Sequence, residues 1–513
     1  MTAKKDLHIV AAIDVGANNL KMTIAEITDQ DKYHILEDLT KPTNIGRDTF
    51  TTGRISVQTI QETCSDLKGF SMLMKDYRIK SYRAISTSGL REAENSEYIV
   101  EQIRMSTGIH VNIINNAEEN LLAFKALGKQ YVKAEPLSSG SYLMVNVASG
   151  GMEVSLYNNG TLEFTEHIKL GSLRLSEILS DLETMTLDFP KVMEEFIDSK
   201  IYLLKFKIQK LGVETFVGLG GELETISRLC KGKSDKNGIL INGNSLYKLY
   251  SKMLTMSTDQ IINNYVISKK EAEILLPSVI LFQCFLNLTR AEGIYAPMTT
   301  LRHGLLYEIA EEIYFKPEIK EDFSETLDYA RYVAEKYCVD QNHSAFVEKT
   351  ALSIFDQTMR LHKLDNRERL YLRVAAILHD AGKFVRFSDP DIQTFHIIKK
   401  QNITGFSDRE LLLTANAARY HGQDLPSRED KYYGALNEKE KILVSKLAAI
   451  LKLGDSLDLS HRQKITTMDI CQSSDKLYFK IVSSLDTLLE EWDFSRKASF
   501  FQEVMGVAPE IKK

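Results

Sequence analysis

The chain is predicted to be an α/β layered protein in two related halves followed by a helical unit, and three observations carry that reading. Apolar, β-branched runs alternate with helical patterns up to about residue 305, as layered α/β folds require. Two glycine-bearing loops, Asp14-Val-Gly-Ala-Asn-Asn-Leu20 and Asn146-Val-Ala-Ser-Gly-Gly-Met152, occupy matching contexts, each between a short apolar run and an alternating one. From about Tyr307 onward the texture changes to helical periodicity with few β-branched runs.

In chain order, His8 to Ile13 and the alternating Leu20, Met22 and Ile24 predict two strands joined by the first glycine loop. Strands are expected at Tyr33 to Leu36, Tyr82 to Ser86 and Val111 to Ile114, with helices over Val57 to Tyr77 and Glu94 to Met105. Tyr142 to Val145 and the Val154, Leu156 alternation repeat the strand, loop, strand plan, and Asn159-Gly160 signals a hairpin. A long helix follows from Pro190 to Leu211, then a strand at Thr215 to Val217 that runs into Gly218-Leu-Gly-Gly221. Ile274 to Leu286, interrupted by Pro277, Ser278 and Gln283, is too short for a membrane span and reads as a buried helix. Beyond it, Tyr329 to Tyr337, Ala345 to Leu361, Leu370 to Leu378, Leu411 to Tyr420 and Ile442 to Leu453 carry apolar residues at helical spacing. Lys464 to Ile470 and Leu477 to Val482 suggest a small terminal β hairpin.

Composition narrows the class. With 513 residues, 43% hydrophobic and 26% charged, the chain is ordinary for a globular protein and neither disordered nor fibrous. A net charge of −6 means that any grip on a polyanion must come from locally clustered Lys and Arg, and neither nucleic-acid nor membrane binding has positive support. The five cysteines (Cys64, Cys230, Cys284, Cys338 and Cys471) form no CxxC pair, which argues for reduced thiols in a cytoplasm. Lys4 and Lys5 precede an apolar stretch too brief for a signal sequence.

The paired loops point to phosphate. Glycine lets the backbone approach closely and take positive φ, so that successive N–H groups converge on an anion, and an adjacent acid can hold a cation. One such loop is an ordinary turn, whereas two facing loops would grip a phosphate chain from both sides.

Six ordered segments then carry a family resemblance: Ala11-Ala-Ile-Asp-Val-Gly16, Ser86-Thr-Ser-Gly-Leu-Arg-Glu-Ala93, Ile114-Asn-Asn-Ala-Glu-Glu119, Val145-Asn-Val-Ala-Ser-Gly-Gly151, Gly171-Ser-Leu-Arg-Leu175 and Leu301-Arg-His-Gly-Leu-Leu306. Together the chain resembles the exopolyphosphatase and guanosine pentaphosphate phosphohydrolase family. The resemblance implies two actin-like, ribonuclease H-like lobes at 1–126 and 127–305. An all-α HD-type domain with the small hairpin is then expected at 306–513. It also implies magnesium- or manganese-assisted attack of water on a phosphoanhydride, with inorganic polyphosphate or guanosine pentaphosphate as substrate, and a homodimer in the cytoplasm.

On the matching positions, Glu119 is expected to position the water, with Glu118 as its nearest confounder. On its own the Glu118-Glu119 pair reads first as acids in a solvated first helical turn, where they favour the helix dipole. Asp14 and Glu153 are the metal-side candidates, and Gly16, Asn18, Arg91, Ser149, Gly150 and Gly151 the phosphate-side ones. Arg174 could line the same cleft, and Lys21, Lys169 and Arg302 could extend a basic track.

The chain also departs from the family pattern. Asn146 stands where an Asp is usual, Ala148, Ser149, Gly150 and Gly151 replace three glycines and a hydroxyl residue, Ala17 replaces a serine, and Glu222 replaces a small hydroxyl residue. An amide in place of a carboxylate weakens a hard-cation site. In the helical region His343, the adjacent pair His379-Asp380 and Asp455 follow the order of a metal-binding HD domain. They are a possible transition-metal site, with Lys383 beside it, His396 and His421 as extra ligands, and Asp458 and His461 as competitors. Three functional readings stay open: hydrolysis in the cleft, hydrolysis at the HD centre with the cleft as sensor, and a non-catalytic protein that binds polyphosphate or an alarmone.

Overall fold

The computed structural model describes residues 8–29, 32–131, 140–159, 161–183, 185–186, 188–220, 222–234, 238–314, 323–386, 388–473 and 476–512. It divides into two compact units, Met1–Glu321 and Asp322–Lys513.

The first unit holds two sheets built to one plan. In the first, β1 (His8–Val15), β2 (Asn19–Asp29) and β3 (Lys32–Pro42) form an antiparallel meander, and β4 (Ser81–Ser86) and β5 (Asn112–Ile113) extend it in parallel, in the order β3-β2-β1-β4-β5. In the second, β6 (Ser141–Val147), β7 (Met152–Asn158) and β8 (Thr161–Ile168) repeat the meander, and β9 (Thr215–Leu219) runs parallel to β6. There β10 (Lys233–Ser234), β11 (Ile239–Asn242) and β12 (Gly293–Ala296) complete the order β10-β11-β12-β9-β6-β7-β8. Asn159 takes φ of 50° at the turn between β7 and β8, while Gly160 and Gly221 lie outside the described residues.

Strand alternation sorts β1 onto two cores. Ala11, Ile13 and Val15 pack with Leu20, Met22 and Ile24 and the helices Val57–Asp76 and Ser96–Thr107. Val10 and Ala12 turn the other way, onto Leu122 of the helix Asn116–Tyr131 and onto Leu305, Leu306, Ile309 and Ala310 of the helix Leu301–Ile313. Both expected domain boundaries therefore fall inside helices, 126/127 in Asn116–Tyr131 and 305/306 in Leu301–Ile313. Helical periodicity does not change where a chain leaves one sheet for another, so those divisions had no local signature. Pro277 sits within the helix Lys269–Leu286, which is buried over nearly its whole apolar run and opens on a Ser268/Glu271 capping box.

The second unit is mainly helical, with principal helices Ser324–Lys336, Gln341–Gln357, Asn366–Leu378, Asp408–Arg419, Glu438–Ser456 and Leu488–Met505. It is not all-α. The expected hairpin is present as β13 (Ile465–Ser473) and β14 (Lys476–Ser483), and β15 (Ala508–Lys512) joins β14 in parallel to make a third strand. A five-residue strand pairing with a partner remote in sequence leaves too short an alternation to be read locally.

Candidate functional site

A cleft in the first unit is lined by Ser88, Arg91, Asn116, Glu119, Asn120, Asn146, Ala148, Gly151, Met152, Glu153 and His167. It thus gathers four of the expected residues: Glu119 and Arg91 from helices beside the first sheet, and Gly151 and Glu153 from the second glycine loop and β7. Asp14, Gly16, Asn18, Ser149 and Gly150 are not among its lining residues.

Local structure explains each placement. Glu118 and Glu119 open the helix Asn116–Tyr131, and the two acids have different surroundings. The Glu118 carboxylate accepts from the Asn115 N–H at 2.9 Å while the Asn115 side chain accepts from the Glu118 N–H at 2.9 Å, a reciprocal cap. Glu119 is buried and faces the cleft. Arg91 ends the short helix after β4. Both of its Nη atoms donate to Glu119 Oε2 at 3.2 Å, and it donates further to the Ile114 carbonyl and the Asn116 side chain. Burial pushes the Glu119 carboxyl above its ordinary range, against the opposing pull of Arg91 and His167 and with help from Asp14. Burial likewise raises Asp14, although Lys21 and Arg302 oppose it.

On the other side, direct pairing places Asn146, Glu153 and His167 in one row across β6, β7 and β8. Glu153 is buried; its Oε1 accepts from Thr165, whose hydroxyl also meets Ser155 at 2.8 Å, and its Oε2 lies 3.5 Å from His167 Nδ1. His167 was not anticipated. Its signal was latent in the β7–β8 register, which a sequence scan for loops and acids does not weigh.

The glycines act by close approach and not by left-handed backbone: Gly16, Gly150 and Gly151 are all absent from the positive-φ residues. A Cβ on Gly150 would lie 2.3 Å from Ser88 Oγ, and one on Gly151 would lie 2.9 Å from the His167 ring. Gly220 needs both properties, with φ of 134° and a Cβ position 2.3 Å from the Val147 carbonyl. The Gly16 N–H donates to the Asn19 carbonyl at 3.0 Å and the Ala148 N–H to the Gly151 carbonyl at 2.9 Å, so these two donors close their own loops. The Asn18 carbonyl accepts from the Thr43 N–H. Ala17 is packed against Gly46 and Gly89, whose added Cβ atoms would come within 2.6 Å and 3.2 Å of its own.

The expected basic track is not assembled as a track. Arg302 is buried and donates to Thr23 and Asp38 within the first sheet's flank. Arg174 donates to Glu92 at 2.7 Å and to the Gly150 carbonyl and stacks 4.1 Å over Phe50, which fixes the second loop; Lys169 is exposed beside Glu92. Burial pushes the Glu222 carboxyl above its ordinary range, with a backbone hydrogen bond, Lys21 and Ser278 opposing.

In the second unit the four HD candidates come together from helix ends. His343 lies in the first turn of Gln341–Gln357, His379 and Asp380 follow Asn366–Leu378, and Asp455 is in the last turn of Glu438–Ser456. His343, His379 and Asp380 form a buried group with ligand atoms within 4.8 Å of one another. Asp455 Oδ1 is 3.3 Å from His343 Nε2 and 3.6 Å from His379 Nε2. Burial opposes ionisation of Asp380, but His379, His421 and Lys383 outweigh it, and Lys497 with the histidines does the same for Asp455, so both are held below the carboxylate range. Asp458 accepts from His343 Nδ1 and does not compete for its place, while His461 stacks on His343 at 3.7 Å. His396 packs against Phe395 and Tyr432, outside the cluster. All five cysteines are free.

The model of the Ppx/GppA phosphatase family matches residues 23–313, and that of domain III of the same phosphatases matches 329–497. The chain belongs to the Ppx/GppA phosphatase family. It is 20% identical over 473 residues to a guanosine-5′-triphosphate,3′-diphosphate pyrophosphatase from Pseudoalteromonas translucida, covering 91% of each chain. Among solved structures it is similar to an exopolyphosphatase from Cytophaga hutchinsonii, with 19% identity, a TM-score of 0.52, and coverage of 60% of this chain and 98% of that one. An exopolyphosphatase-like protein gives 19% identity and a TM-score of 0.53 over 60% of this chain and 99% of its own. These likenesses establish the actin-like fold of the first unit. Among the described residues no helix is long and apolar enough to cross a membrane.

Proposed function

We propose that the chain hydrolyses terminal phosphoanhydrides in the first unit's cleft, releasing orthophosphate from inorganic polyphosphate or from guanosine pentaphosphate. The observation that carries this reading is Glu119: a buried carboxyl with a raised pKa, gripped by one guanidinium, opposite Glu153 and His167. Burial that raises a carboxylate's proton affinity makes it a stronger base toward water. Arg91 engages Oε2 and leaves Oε1 as the atom that would accept the proton of the attacking water.

Magnesium or manganese fits the acids present. Asp14 Oδ1 and Glu153 Oε2 are both buried without a hydrogen-bond partner, and hard cations favour such charged oxygens. Asp14 and Glu153 would hold the ion, which when bound supplies positive charge for the phosphate oxygens. Arg91 adds donors to the same phosphate, and His167 keeps Glu153 oriented. Asn146, next to Glu153 in the row, provides an amide in place of a further charge.

Orthophosphate release from both substrates with magnesium, measured on wild type and Glu119→Gln, tests the reading. Loss of about 10²–10⁴-fold in kcat for the variant is expected. Release that survives Glu119→Gln would overturn the role of Glu119, and tight binding without release in wild type would make the chain a binding protein.

A further inference from the structure

Three imidazoles in the second unit share one orientation. His343 Nδ1 donates to Asp458 Oδ2 at 2.9 Å, His379 Nδ1 to the Ala376 carbonyl at 2.7 Å, and His421 Nδ1 to the Ala418 carbonyl at 2.7 Å. Asp458 is itself locked by Gln463, whose N–H reaches Oδ1 at 2.6 Å and whose Nε2 reaches Oδ2 at 2.8 Å. In a neutral imidazole whose Nδ1 donates, Nε2 is an acceptor. Yet His343 Nε2 and His379 Nε2 lie 3.2 Å apart, both fully buried, acceptor facing acceptor. Such a contact needs positive charge, either a proton carried by His343, which Asp455 and Asp458 favour, or a metal ion between the two atoms.

The spacing fits a metal ion. Nitrogen ligands about 2.0–2.1 Å from a shared ion at angles of about 90–109° stand about 2.8–3.4 Å from each other. Asp455 Oδ1, at 3.3 and 3.6 Å from the two Nε2 atoms, continues that shell, and Asp380 Oδ2, which also accepts from Lys383 Nζ, faces it from 3.9 and 3.8 Å. Lys497 takes the other oxygen of Asp455 at 2.7 Å, so Oδ1 is the atom left to bind.

We propose that His343, His379, Asp380 and Asp455 form a binding site for one first-row transition-metal dication (manganese, iron or zinc), separate from the magnesium-type site of the cleft. Two imidazoles and two carboxylates suit these borderline ions, whereas the cleft's all-oxygen set suits harder ones. Asp458 is a positioning residue: it fixes the tautomer and tilt of His343 without reaching the ion.

The test uses the full chain, stripped with chelator, loaded separately with Mn²⁺, Fe²⁺ or Zn²⁺ in excess Mg²⁺, and washed before elemental analysis. One retained ion per chain is expected in wild type and in Glu119→Gln, and none in His379→Ala. Asp458→Asn, which keeps the side chain's shape, should melt like wild type and bind about 10–100-fold more weakly. No retained ion in wild type, loss to magnesium competition, or unchanged loading in His379→Ala or Asp458→Asn would each overturn the assignment.

Discussion

Glu119 in the first unit has its carboxyl pushed up by burial, whereas the comparably buried Asp380 and Asp455 of the second unit are held below the carboxylate range. The difference lies in their company. Glu119 has His167 and one arginine, itself divided among several acceptors, while the second pair has two lysines, Lys383 and Lys497, besides the histidines around it. Burial sets the cost of a charge, and the number of opposite charges within reach decides whether it is met. The surroundings of Glu119 suit proton transfer, and those of Asp380 and Asp455 suit permanent ligation.

The pH profile probes this contrast most strongly. Since the base must be unprotonated, kcat/KM should fall about tenfold per pH unit below the pKa of Glu119, with the acid limb lying above the ordinary 4.5. Burial raises that limb, Asp14 raises it further, and Arg91 and His167 lower it. The linkage sign follows: the folded chain keeps this proton after the unfolded chain has lost it, so stability falls as pH rises through the window between the two pKa values. A limb centred at or below 4.5 would place Glu119 in water and end the contrast.

A smaller effect is expected where the lobes close on each other. Gly150→Ala drives a methyl into Ser88 and Phe50, which should cost about 1–3 kcal/mol in a denaturant titration. By opening the cleft it should also move the acid limb back toward 4.5. An unshifted limb would mean that desolvation of Glu119 does not depend on this contact. The smallest change is Glu118→Ala, which removes a cap worth about 1 kcal/mol and should leave kcat unaltered. A large loss of rate there would show that adjacent acids with such different surroundings are nonetheless interchangeable in the chemistry.

Particular residues show where sequence reading succeeded and where it stopped. Glycine loops, capped helices and the strand alternation of β1 are local, so the two-sheet plan and most elements were legible from spacing. Arg302 was misjudged because only the fold reveals Asp38 and Thr23 as its partners. His167 was overlooked because its proximity to Glu153 depends on register between strands. The acceptor-facing-acceptor pair of His343 and His379 depends on a hydrogen-bond network spanning Asp340 to Gln463.

By itself the sequence determined the element types, the repeated strand–loop–strand plan and the residue kinds available for chemistry, because these follow from side-chain periodicity and backbone preference over a few residues. Only the tertiary structure decided which acid of the Glu118-Glu119 pair enters the cleft, which loop N–H groups are already spent, and how each buried carboxyl is charged. Those outcomes are set by desolvation and by partners distant in sequence, whose positions exist only once the chain is packed.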